Sequence, residues 1–272
     1  MEKKAVRLLQ VARCRTAIVV HNPVKGRDEA ESQPDIARIR RNATGLIVHD
    51  PALKEGLQSY TDVHVAAHPA YFAWADATAA VSQRDQSEKV ALFLGSARKD
   101  KGFDQLPTIA NELDKLGYTL RCAIGRLTPE ETSMLNEVQN IDVLSGAEGH
   151  ISNLAVREAI EGASVLIAPY SNVTASGTVL MAMSAGLPIA AYHNPGLESL
   201  IPDGSLARPG TPKNIGMCVI DASNHSADDV LQRVVLHDDK AKKEWTAAIE
   251  KVLNGTSGSV GSKNAGRTGR FI

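Results

Sequence analysis

No run of apolar residues in this chain approaches the roughly 20 that a membrane-spanning helix needs. The N-terminal stretch MEKKAVRLLQVARCRTAIVV scatters its charges and lacks both an uninterrupted apolar centre and a small-residue cleavage site, so no signal peptide is read there. Both absences predict a cytosolic protein, open at most to a peripheral contact with the inner face of a membrane. Neither sign of charge is in excess: 30 Lys and Arg face 31 Asp and Glu, for a net charge of −1. That balance gives no electrostatic case for nucleic acid or for a strongly anionic membrane, and any basic site must be local. Cysteine is scarce. Cys14, Cys122 and Cys218 are far apart and show no CxxC or Cys/His ligand spacing, which argues against a disulfide framework or a zinc centre and leaves three buried, apolar thiols. Also missing are GxxxxGK[ST], GxGxxG and an Asp-x-Asp at a strand end; the pair Asp238-Asp239 reads as the start of the last helix.

What is present is length and alternation. A chain of 272 residues with 43% hydrophobic residues suits about two globular domains. Short β-branched apolar runs alternate with helical patterns, the signature of a parallel-sheet α/β fold. The predicted strands are 16–20, 45–49, 63–67, 90–94, 119–124, 142–144, 165–169, 188–192 and 217–220. After Gly102, the residues Leu106, Ile109, Ala110, Leu113 and Leu116 recur at helical spacing, with Gly117 as the stop. A polar stretch without strand pattern, about 73–89, separates a partial α/β domain with its linker (1–88) from a complete nucleotide-binding-type domain with C-terminal helices (89–253). The Gly/Ser-rich end, 254–272, reads as a disordered tail.

Two stretches carry chemistry. SNVTASGTVLMAMSAGLP, residues 171–188, runs from a polar, turn-like head into a helix that is apolar on nearly every face and must be buried on all sides. Thr174, Ser176, Gly177 and Thr178 crowd its start, where unpaired backbone N–H groups and the positive end of the helix dipole favour an anion. VALFLGSARKDKGFDQL is a buried strand ending in Gly95, then a loop with Arg98 and Lys101, then Gly102 opening a helix. Gly95 permits close backbone approach, Arg98 can fork onto phosphate oxygens, and Lys101 can act as a mobile point charge. A solvated charged loop is the plain alternative for this segment alone. Together the two predict a phosphate site made of one cationic loop and one helix N-terminus.

These segments resemble those of glycosyltransferase family 4, enzymes of GT-B fold that transfer a sugar from a nucleotide-sugar donor with retention. FLGSARKDKGFDQL is similar to that family's strand, Gly, basic loop and Lys-Gly; GASVLIAPYSNVTASGTVLMAMSAGLPIAAYHNPGLESLI is similar to its donor-site segment; TAIVVHNP and GLIVHDPALKEGL are similar to the inner acceptor domain. The resemblance implies a GT-B-like α/β protein with a complete Rossmann-like donor domain and a truncated N-terminal one. It implies a nucleotide sugar and a hydroxyl acceptor as partners, no metal or other cofactor, and a place in polysaccharide or glycoconjugate synthesis. Arg98 and Lys101 would hold the donor diphosphate, with Gly95, Thr174, Ser176, Gly177 and Thr178 around it. His21 falls where many members face the donor sugar with a His. A capping residue at a strand end is the alternative for His21, and His68 reads as structural.

The sequence departs from that pattern twice. Val173 and Met181 stand where many members carry two glutamates, although Thr174-Ala-Ser176-Gly177 fits a variant with a Ser-Gly head. Roughly one hundred residues that usually precede the strand TAIVV are missing from this sequence. Three readings stay open: a fragment, a partner chain that supplies the early strands, or a degenerate module that binds nucleotide diphosphate without transferring sugar.

Overall fold

The computed structural model describes residues 15–21, 33–75, 89–146, 150–171 and 176–254. Two units emerge: one takes the chain up to Ala67 together with the residues from Lys243 on, the other runs from His68 to Lys242. The boundary read near Glu88, the tail after 254, Cys14 and Thr174 lie outside the described residues.

The first unit holds a three-stranded parallel sheet of β1 (Ala17–Val20), β2 (Gly45–Val48) and β3 (Val63–Val65), in that order. Helix α1 (Gln33–Arg41) precedes β2 and α2 (Pro51–Leu57) follows it; Asp50 caps α2 by accepting from the Ala52 N–H at 2.8 Å. Leu46, Val48 and Leu57 are buried on one side of β2; Ile47 points the other way, against Ala66 and Ala248.

The second unit begins with α3 (Phe72–Ala75) and holds six parallel strands: β4 (Val90–Gly95), β5 (Thr119–Ile124), β6 (Ile141–Ser145), β7 (Val165–Ala168), β8 (Ile189–Tyr192) and β9 (Leu206–Ala207), ordered β6-β5-β4-β7-β8-β9. The central strands are buried on both faces, which is why they read as continuous apolar runs. Helices α4 (Leu106–Asp114), α5 (Pro129–Asn136), α6 (Asn153–Glu161), α7 (Gly177–Ser184) and α8 (Pro212–Ser223) connect them or follow. In α4 the expected stripe Leu106, Ile109, Ala110 and Leu113 is buried, and Gly117 ends the turn at φ 75°. Helix α9 (Ala227–Asn254) closes the described chain, and the division between units falls within it.

Two expectations fail. Residues 217–220 lie in α8 and form no strand. Thr211 caps that helix, accepting from the Asn214 N–H at 3.3 Å, and Ile215, Cys218, Val219 and Ala222 make a buried helical stripe while Met217 is 60% exposed. Four adjacent apolar residues look like a strand, but in the helix Cys218 and Val219 face the core while Met217 and Ile220 face outward. The sixth strand is instead the two-residue β9, paired with β8 through Ala191 and Leu206. Asp238 and Asp239 lie well inside α9; Asp228 and Asp229 occupy its first turn. Cys122 and Cys218 are buried as expected, and burial pushes their thiols up to about 12 and about 11.

Candidate functional site

The six-stranded sheet reverses its winding between β4 and β7: from β4 the order proceeds through β5 and β6, and from β7 it proceeds the other way through β8 and β9. Such a reversal leaves a crevice beyond the carboxyl ends of the two central strands, because the loops that follow them diverge to opposite sides. The loops at this point are the two stretches that the sequence singles out, Gly95 to Gly102 after β4 and Pro169 to Gly177 after β7.

Three contacts bind these loops together. Gly102 adopts φ 75° with its Cα against Pro169, where a Cβ would strike the Pro169 carbonyl oxygen and ring. The Ser171 N–H donates to the carbonyl of Asp100 at 3.1 Å. The Lys101 ammonium lies over the ring of Tyr170, 3.9 Å from its centroid. Burial holds that ammonium below the ordinary lysine range; Asp100 opposes the shift and Arg98 adds to it.

Tyr170 is 2% exposed. Burial pushes its phenol up to about 12, against the opposing influence of the Ser176 and Thr178 hydroxyls. Ser176 is the N-cap of α7 and accepts from the Val179 N–H at 3.3 Å, so its own hydroxyl proton remains to be donated. Lys101, Tyr170, Ser176 and Thr178 thus form one continuous set running from the cationic loop to the start of α7. Gly177 opens that helix, and a Cβ there would stand 2.8 Å from the Tyr71 hydroxyl. Tyr71 stacks on His68 with centroids 5.5 Å apart, and its N–H donates to the buried Ser184 Oγ at 2.9 Å.

A cleft of about 210 Å³ opens beside this set, lined by Gly95, Gly125, His150, Ile151, Thr178 and Met181 among others. Gly95 and Thr178 therefore face one space. Arg98 is exposed, and its guanidinium donates two hydrogen bonds to the Asp100 carboxylate, at 2.8 and 2.5 Å. At 44% and 39% side-chain exposure this pair is worth little, so a better anion can displace the carboxylate.

His21 belongs to the other unit. It follows β1 directly, its ring 4.8 Å from that of His49, because Val20 pairs with Val48 in the parallel register and the next residue of each strand is a histidine. His49 donates through Nδ1 to the Ala66 carbonyl at 2.9 Å. The sequence reading left two contributors without a role. Tyr170 carried only the signal of an aromatic just after a strand and its Pro, and Tyr71 carried none.

No protein-family model matches the chain, and neither does any curated protein sequence. Solved structures do match it. The sucrose-phosphate synthase of Thermosynechococcus elongatus is 14% identical with a TM-score of 0.67, over 93% of this chain and 73% of that one. HepE of Anabaena, determined in complex with UDP and glucose, is 13% identical with a TM-score of 0.67, over 93% and 76%. TarM is 14% identical with a TM-score of 0.61, over 89% of this chain, which spans half of TarM's length. The fold is the GT-B-like α/β architecture of such glycosyltransferases.

Proposed function

We propose that the protein binds a nucleotide-diphosphate sugar at the crevice between β4 and β7 and transfers its sugar, with retention, to a hydroxyl acceptor. The observation that carries this reading is the approach of Lys101, through Tyr170, to the capped start of α7 beside a cleft of about 210 Å³. Breaking the sugar–phosphate bond builds negative charge on the departing diphosphate. A half-buried ammonium and a helix start oppose that charge more strongly in the transition state than in the ground state. The acceptor hydroxyl attacks the anomeric carbon from the face that the diphosphate leaves, and the new bond keeps the original configuration. Arg98 joins Lys101 on the diphosphate once Asp100 is displaced. The assignment of His21 to the donor sugar, and of the reaction to polysaccharide or glycoconjugate synthesis, rests on the resemblance alone.

Met181 favours a second reading. It lines the cleft where the resemblance implies a glutamate for the ribose, and no carboxylate is found among the described residues that line that space. A module that binds nucleotide diphosphate without transferring sugar fits this equally.

Isothermal titration with UDP and GDP tests what the two readings share. Replacing Lys101 with Ala is expected to weaken binding by about 1–3 kcal/mol, the usual cost of losing a charge-assisted contact. An unchanged affinity would count against the site. Release of free sugar, or its transfer from UDP- and GDP-sugars, separates the transferase from the binding module.

A further inference from the structure

Lysines beside anion sites are ordinarily disordered by their own length. Four rotatable bonds carry rotamer entropy that a ligand must overcome to use the charge. Lys101 does not stand free in this way. Its ammonium rests on a ring that is itself immobile, since Tyr170 is 2% exposed and sits among the core side chains of the six-stranded unit. The same tyrosine turns its hydroxyl to the other half of the site, toward the Ser176 and Thr178 hydroxyls, whose approach opposes the upward push of burial on the phenol. One side chain therefore touches both the cationic loop and the helix start, and does so from beneath, outside the residues that line the cleft.

We propose that Tyr170 is a positioning residue for diphosphate binding: its ring face seats the Lys101 ammonium and its hydroxyl fixes the first turn of α7, so that both halves of the site are set before ligand arrives. This rests on the diphosphate reading given above and adds to it the means by which two distant loops are held in one geometry. Two backbone features support the same conclusion. The Ser171 N–H bond to Asp100 ties the residue after Tyr170 to the residue before Lys101, at 3.1 Å. Gly102, just past Lys101, packs on Pro169, just before Tyr170. The pairing of Lys101 with Tyr170 is thus enforced by the chain on either side of both residues.

The ring and the hydroxyl can be tested apart. In the full chain, Tyr170→Leu removes the ring face and is expected to weaken UDP binding roughly 3- to 30-fold, the range of a partly desolvated cation–π contact. Tyr170→Phe keeps the ring and the packing, and is expected to lose only about 2- to 10-fold, the range of a neutral hydrogen bond. Uridine, which has no phosphate, should bind all three proteins alike. The loss from Tyr170→Leu should shrink to that of Tyr170→Phe when Lys101→Ala is already present, because the ring then has no ammonium to seat. A purely structural tyrosine would weaken uridine and UDP together and would add fully to Lys101→Ala; either result overturns the proposal. If the leucine variant fails to fold, the phenylalanine variant decides: UDP affinity equal to that of the unaltered chain overturns the role of the hydroxyl, and a loss confined to UDP supports it. A chain that binds neither UDP nor GDP fails the diphosphate reading as a whole, whereas binding that depends on Lys101 and ignores Tyr170 fails this inference alone.

Discussion

Gly102 shows how narrowly a single position is fixed. Its φ of 75° is one that side-chain-bearing residues rarely adopt, and its Cα faces the Pro169 carbonyl with no room for a Cβ. Gly102→Ala is expected to destabilise the protein by about 2–4 kcal/mol, strain and backbone displacement together, as read from the urea midpoint at constant m-value. A loss under half a kilocalorie would mean that the two loops are not packed as described. The Lys-Gly pair was legible in the sequence as a residue type in a suitable loop. Its reason was not, because Pro169 is 67 residues further along and only the pairing of β4 with β7 brings it there. Tyr170 was illegible for the same cause. An aromatic residue after a strand is ordinary core until the partner of its ring is known. His21 and His49 stand between these cases: each was seen at a strand end, and the parallel register of β1 and β2 alone makes them neighbours.

At the scale of elements, α7 is the clearest success of sequence reasoning. A helix apolar all round was expected to be enclosed, and Val179, Leu180, Ala182, Met183 and Ser184 are buried. Its one buried polar side chain is held twice: the Ser184 Oγ donates to the Leu180 carbonyl at 2.7 Å and accepts from the Tyr71 N–H at 2.9 Å. Ser184→Ala should cost about 1–3 kcal/mol, since the Tyr71 N–H loses its acceptor. Thermal or urea unfolding measures this, and a neutral result would require another acceptor for that N–H. The failure at 217–220 is equally instructive. Met217, Cys218, Val219 and Ile220 have the composition of a strand. The helix wins because Thr211 and Pro212 start it and because Ile215, Cys218, Val219 and Ala222 bury as one helical stripe. Local preference loses to the burial that the neighbouring elements offer.

At the scale of the molecule, stability should depend on pH through Asp238. This carboxylate is 7% exposed, accepts from the Ala70 N–H at 3.0 Å and pairs with Lys242 at 2.8 Å. Burial alone pushes it up, but the Lys242 and Ala70 hydrogen bonds outweigh burial and hold it below the ordinary aspartate value. A depressed folded value means that the unfolded chain takes up the proton more readily. The stabilisation is fully present above the ordinary aspartate pKa of about 3.9 and is lost as pH falls through the folded value. The urea midpoint should therefore drop below about pH 4, and less steeply in Asp238→Asn; parallel pH profiles for the two proteins would remove Asp238 from the account. The alternation of strands and helices and the enclosure of α7 followed from the sequence, because periodicity and residue type are local properties of the chain. Which strands adjoin, which side chains meet across them, and hence that Lys101 rests on Tyr170, was decided only in three dimensions. Strand order in a parallel sheet is set by long-range burial, and no local pattern in the chain records it.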